Sequence, residues 1–307
     1  MINNKSSFRS VLPLQTHIDF IGKRLTWISV SLVFMVLSML LLILRGIPIG
    51  IDFSGGTMAE IRFPKENIAP KEVKNAISEL VKDNVIIQPV DINSGSAFLV
   101  RFPVIDDLNT FSNELFRKLK NAFGKSAKLV RAEMVGPKMG KELRTKSYIA
   151  VGFTCIAMLT YIAFRFEFAY GIGTIAGIIH DILIALGTMS LFEKQFSLVT
   201  MAALLTIMGY SVNDTIVVCD RIRENLKKKG LKGNLAHVIN ISINQTLSRT
   251  IITSFTVLLV LISLLFLGTT ILKDFSFVMI VGVIVGTYSS IYIVAPIVLF
   301  WKSFAKT

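Results

Sequence analysis

The chain has 307 residues, of which 52% are hydrophobic and only 17% charged, with a formal net charge of +13. Its mean hydropathy is +0.64. Soluble domains carry roughly 25% charged residues, so the composition points to a membrane protein and away from a soluble enzyme. The positive charge alone would admit a nucleic-acid partner, but it is distributed as membrane topology requires, and no nucleic-acid partner is expected.

Residues 1–24 form a polar, basic tail. Leu25–Leu44 is the first apolar run, long enough for a bilayer crossing of about 20 residues. It is too long for a signal peptide core and no small-residue cleavage site follows, so it reads as an uncleaved anchor.

Residues 45–147 have another texture. Thr57–Phe63 alternates with period two, as a strand does. Pro70 opens a helix with Val73, Ala76, Ile77, Leu80 and Val81 on its apolar stripe. Val85–Val90 and Ala97–Phe102 are two further strands, joined by a turn at Asn93-Ser94-Gly95. Asp106 or Asp107 caps a second helix, whose stripe is Leu108, Phe111, Leu115, Leu119 and Phe123. Ala127–Val135 is the last strand. The order β-α-β-β-α-β predicts a ferredoxin-like α+β domain with one sheet face free to meet a partner. It contains no His and no Cys, and reads as a binding or mechanical module rather than an enzyme.

Asp52-Phe53-Ser54-Gly55-Gly56 leads into this domain and Val135-Gly136-Pro137-Lys138-Met139-Gly140 leads out of it. Gly55, Gly56, Gly136 and Pro137 are either plain turns or hinges on which the domain swings.

Five more apolar runs follow within 148–301: Tyr148–Phe164, Phe168–Phe192, Phe196–Cys219, Ile251–Leu272 and Phe275–Trp301. The fold class is therefore a membrane all-α bundle of six transmembrane helices with an inserted α+β domain. Lys5, Arg9, Lys23, Arg24, Arg165, Lys302 and Lys306 share one side with a basic segment at 220–249 that holds Arg221, Arg223, Lys227, Lys228, Lys229, Lys232 and Arg249. The short loops opposite offer only Lys194 and Lys273. Both termini, including the 302–307 tail, are thus expected in the cytoplasm and 45–147 outside it. The basic segment suits anionic membrane lipids.

Two carboxylates interrupt the spans. A charge at mid-bilayer costs roughly 2.5–3.5 kcal/mol on insertion scales, so each is a functional candidate in need of a partner. Asp214 follows Tyr210 and Ser211 on one helix face, with Asn213 and Thr215 beside it and Arg249 as the nearest candidate cation. The group is either a proton relay or a structural polar contact. Asp181 follows His180, and this pair either extends the relay or forms a local interhelical hydrogen bond. Gly173-x-x-x-Gly177 and Gly282-x-x-x-Gly286 predict close helix packing, and Pro296 predicts a kink. Cys155 and Cys219 lie in apolar runs and match neither a disulfide nor a zinc pattern, so no metal is expected. The phosphate-binding G-x-x-x-x-G-K-[ST] pattern is absent. No cofactor is expected, and a membrane gradient is left as the energy source.

Asp52–Gly56, Val135–Gly140, Gly209–Val218 with Asp220–Asn225, and Asn244–Thr250 together resemble the SecF family of the resistance–nodulation–division superfamily, nearly from the first span to the last. The resemblance implies a subunit that is not an enzyme. It implies a SecD partner supplying a second six-helix half, and association with the SecYEG channel, YajC and the SecA motor in the bacterial inner membrane. It also implies that the proton-motive force assists late translocation of an unfolded polypeptide, held by a periplasmic domain at 45–147. Asp214 and Arg249 match the family's proton-transport positions. Three rival readings are a small-molecule or lipid transporter half of the same superfamily, an intramembrane aspartyl protease using Asp181 and Asp214, and a passive scaffold.

Overall fold

The computed structural model describes residues 16–63, 68–78, 80, 85–90, 96–103, 105, 107–124, 127–165, 167–227 and 234–304. Asp106, Val81 and the turn expected at Asn93-Ser94-Gly95 lie outside the described residues, as do Lys5, Arg9, Lys228, Lys229, Lys232 and Lys306. The chain divides into two compact units, Ile49–Ala150, and Met1–Pro48 with Val151–Thr307.

The Ile49–Ala150 unit contains a short helix α2 (Ile51–Ser54), strands β1 (Gly56–Phe63), β2 (Ile86–Val90), β3 (Ser96–Phe102) and β4 (Lys128–Val135), and helices α3 (Pro70–Ile77) and α4 (Leu108–Phe123). The strands form one antiparallel sheet in the order β2-β3-β1-β4. Alternation places Ala59, Ile61 and Phe63 of β1 and Phe98, Val100 and Phe102 of β3 in one core with Val73 and Ile77 of α3 and Phe111, Leu115 and Leu119 of α4. Phe63 stacks edge-on against Phe98 and Phe123. Asp107 caps α4 by accepting from the Asn109 amide at 2.9 Å. Its hydrogen bonds from Thr110 and Asn109 hold the carboxyl below the usual carboxylate range.

The other unit is helical. It comprises α1 (Arg24–Leu44), the greater part of α5 (Pro137–Arg165), α6 (Phe168–Leu191), α7 (Leu198–Lys227), α8 (Leu235–Leu267), α9 (Thr270–Ser289), a π turn (Ser290–Val294) and α10 (Ala295–Phe304). Among the described residues six helical stretches are long and apolar enough to span a bilayer, the last running Thr270–Phe304. Several outlast their apolar runs. Helix α5 starts at Pro137 and carries the charged turns before Tyr148. Helix α7 continues to Lys227, and α8 starts at Leu235, so much of the basic segment is helical. The fifth span, expected over Ile251–Leu272, stops at Leu267, because the backbone turns extended at Gly268 (φ −74°, ψ 167°) and stays extended at Thr269. Hydropathy does not register that stop, since Leu272 lies past it in the next helix.

Glycine sets the closest helix contacts. A Cβ on Gly282 of α9 would lie 2.2 Å from Ile207 of α7, one on Gly177 of α6 would lie 2.9 Å from Val294, and one on Gly187 of α6 would lie 2.3 Å from Ser38 of α1. The irregularity expected at Pro296 takes the form of the π turn just before it. Proline brings no N–H to the carbonyl four residues back, at Tyr292, and its ring crowds that carbonyl. A wider turn relieves the clash.

Candidate functional site

Among the described residues, the two carboxylates inside the spans each sit in a polar cluster built between α7 and α9. The first surrounds Asp214, which is 2% exposed. Thr287 of α9 donates to its Oδ2 at 3.2 Å. The Thr287 hydroxyl is 2.6 Å from Ser254 Oγ of α8, and Tyr210 donates to Ser254 at 2.9 Å. Tyr210 thus reaches Asp214 through two hydroxyls on neighbouring helices and not along its own helix face. Ser254 also donates back to the Thr250 carbonyl at 2.8 Å.

The second cluster surrounds Asp181 of α6, which is fully buried. Ser211 of α7 donates to its Oδ2 at 2.5 Å and Ser289 of α9 at 2.9 Å. His180 Nδ1 lies 2.9 Å from Oδ1. Ser211, expected beside Asp214, therefore serves the other carboxylate. Thr287, Ser254 and Ser289 were not among the residues expected from the sequence. Serine and threonine are ordinary in membrane helices and commonly back-bond to the preceding turn, so nothing in their spacing marks these three.

Asn213 and Arg249 are both exposed. They line one cleft of about 580 Å³ with Asp220, Arg221, Glu224, Gln245 and Thr246. Among the described residues no ion pair joins Arg249 to Asp214. Further ion pairs sit at the two ends of α6. Lys302 meets Glu167 at 2.7 Å just before its first residue, and Arg45 pairs with Glu193 just after its last. Arg165 meets Asp220 at 2.5 Å, tying α5 to α7. Among the described residues no group of three or more His, Cys, Asp or Glu is arranged to hold a metal ion.

The four glycine and proline positions flanking the sheet lie within the Ile49–Ala150 unit. Gly55 and Gly56 have φ of 71° and 124°, a region that side-chain-bearing residues avoid. A Cβ on Gly55 would lie 3.3 Å from Pro137 Cα, and one on Gly140 would lie 3.0 Å from the Gly55 nitrogen. Arg144 of α5 donates to the Phe53 carbonyl. The entry and exit segments are thus packed on each other, whereas Gly136 has open space around it.

Residues 115–304 match the family model described as protein export membrane protein SecD/SecF, C-terminal. The protein translocase subunit SecF of Calditerrivibrio nitroreducens is 39% identical over 98% of this chain and 99% of its own length. The chain belongs to the SecF family. The SecF of Magnetococcus marinus is 40% identical over 92% of each chain. A crystal structure of SecDF, a translocon-associated membrane protein from Thermus thermophilus, superposes with a TM-score of 0.84 at 38% identity over 95% of this chain. A structure of SecDF in its super-membrane-facing form gives 0.68 at the same identity. The chain spans 40% and 39% of those two SecDF chains. Membership of the SecF family and six apolar helices make this a multi-pass membrane protein of the Sec protein-export pathway.

Proposed function

We propose that this chain works with a SecD partner to couple the proton-motive force to late steps of protein translocation across the inner membrane, with Asp214 as the residue that takes up and releases the proton. The observation that carries this reading is a buried carboxylate on a membrane helix with, among the described residues, a single hydroxyl donor, Thr287 at 3.2 Å. A carboxylate held so lightly is poorly compensated as an anion, which favours exchange between charged and neutral forms. Arg249 stands at the cleft that Asn213 shares and biases that exchange electrostatically, and Tyr210 steadies the hydroxyl chain.

An exposed Asn, Arg, Gln and Glu at one cleft are poor company for lipid tails. This supports a partner's helices or water against α7 and α8, the place for a SecD half. The SecYEG channel, YajC and SecA complete the machine in this reading. The basic residues toward the ends of α5, α7 and α10 support cytoplasmic termini, with 45–147 in the periplasm. The β2-β3-β1-β4 order and the β-α-β-β-α-β sequence support a ferredoxin-like module, whose sheet face away from α3 and α4 holds the emerging polypeptide in this reading.

The test is export of a secretory precursor into vesicles holding the full complex, with Asp214→Asn compared to wild type at matched SecD recovery. The variant is expected to keep gradient-independent export and lose the gradient-dependent part. Retention of that part would reduce the chain to a scaffold.

A further inference from the structure

We infer that the His180–Asp181 pair is a second proton-binding site of the bundle, loading at Nε2 of His180. The pair's own titration stands apart from the role proposed for Asp214, while its coupling to Asp214 rests on that role.

Asp181 accepts two hydroxyl donors at Oδ2 and faces the imidazole at Oδ1. A carboxylate anion with that many donors is well held, and its contact with Nδ1 places a hydrogen on Nδ1. The other ring nitrogen is then a bare acceptor. His180 is 1% exposed, and Nε2 has no hydrogen-bond partner among the described residues. Leaving a buried polar atom unsatisfied costs about 1–3 kcal/mol. A pair retained only to pin helices together would be expected to satisfy both nitrogens. An unmet Nε2 beside a well-held carboxylate is the arrangement that accepts a proton. The proton adds to Nε2, Nδ1–H remains on Asp181, and the new imidazolium is balanced by the carboxylate 2.9 Å away.

The surroundings add few competing charges. From α9, the Tyr288 ring stacks on the imidazole with centroids 6.2 Å apart. The Tyr288 hydroxyl is engaged with Ser31 of α1 and the Trp27 carbonyl, each at 2.8 Å. Tyr292 of the π turn packs on Tyr288. Helix α1 brings Ser31 here and has its own charge, Arg24, about two turns away. Helix α7 brings Ser211, with Asp214 three residues further on. The Lys302 amine of α10 lies over the Tyr170 ring near the start of α6, away from the pair. Among the described residues, His180 and Asp181 form an ion pair only with each other.

The same two helices hold both carboxylates. On α7, Ser211 binds Asp181 three residues before Asp214. On α9, Thr287 binds Asp214 and Ser289 binds Asp181. A proton gained at either site changes the pull on hydroxyls that share a backbone with the other site's ligands.

The experiment is nitrogen NMR of the imidazole in the full chain, in lipid nanodiscs, alone and with its SecD partner. Of the three histidines, His17 and His237 are replaced by Gln so that His180 reports alone. Spectra are recorded from about pH 8 down to about pH 5, and the ring is expected to pass from an Nδ1–H neutral form to the doubly protonated form. Asp181→Asn should displace the midpoint by about one pH unit or more, and Ser289→Ala should displace it by less while keeping the fold. Asp214→Asn should move it measurably. Ring signals that stay constant across the range would overturn the inference, and so would a titration indifferent to both Asp181→Asn and Ser289→Ala. Export assays play no part in this readout, so a failure of the Asp214 proposal is seen separately.

Discussion

At the scale of single residues, the two carboxylates differ in how they are held. Asp181 sits among three polar neighbours, whereas Asp214 depends on Thr287. Thr287→Val removes that hydroxyl at nearly constant shape and also leaves Ser254 without its neighbour at 2.6 Å. Hydrogen bonds between membrane helices average about 0.6 kcal/mol and reach about 1.7. Thr287→Val should therefore destabilise the bundle by about 0.6–1.7 kcal/mol in reversible unfolding from detergent, and Thr287→Ser by clearly less. A double-mutant cycle with Asp214→Ala, which removes the acceptor, should recover most of the loss as coupling; additive losses would mean that the contact contributes nothing. Asp214, Asp181, His180, Tyr210, Asn213 and Arg249 were all legible in the sequence as polar residues in or beside apolar runs. Their connections were not. Tyr210 and Ser211 share Asp214's helix face by spacing, yet one bonds to α8 and the other to α6, because choice of partner is a property of three packed helices.

At the scale of elements, the apolar runs reveal how many spans there are but not where the helices end. Helix α5 begins at Pro137 because proline suits a first turn, and its charged turns continue a helix that hydropathy cannot see. Helix α8 stops at Gly268 within a run that hydropathy reads as unbroken. The small-residue patterns were a better guide. Gly282 and Gly177 face Ile207 and Val294 at distances no Cβ tolerates. Gly282→Ala should destabilise the α7–α9 contact by about 1–3 kcal/mol through overpacking, and Ile207→Ala in the same chain should restore part of the loss. Gly187→Ala should be harder to rescue, since its Cβ would also lie 2.6 Å from the Ser38 backbone. Gly152→Ala and Gly209→Ala, each with open space around it, are expected to be neutral or slightly stabilising, as alanine is the better helix former. Equal losses at all four glycines in thermal unfolding would show that packing does not set these contacts.

At the scale of the whole molecule, the two units each carry their own core. A unit of about 100 residues is large enough to fold alone, so residues 49–147 expressed by themselves should unfold in one cooperative transition. Phe63→Ala, at a core position of 0% exposure, should cost about 3–5 kcal/mol there; a fragment with no transition would show that the sheet depends on the helical unit.

The covalent connections between the two units are at Pro48–Ile49 and at Ala150–Val151. The two crossings differ in stiffness. The first follows Gly46, whose φ of 70° breaks the path from α1. The second lies within the unbroken helix α5. Gly55 and Gly56 are poor candidates for the moving joint in this light, since Gly55 is packed against Pro137 and Gly140, and Arg144 fastens the Phe53 carbonyl. A stiff helix transmits displacement and a glycine kink does not. We therefore expect Ala150→Gly with Val151→Gly, which costs α5 about 1–2 kcal/mol of helix propensity, to leave both units folded and the His180 imidazole titration unchanged while gradient-dependent export falls. A disulfide joining Gly55→Cys to Gly140→Cys, which only fastens a contact already made, should leave export intact. Full export in the double glycine variant with loss in the disulfide variant would reverse the assignment and make the glycine segments the working hinge.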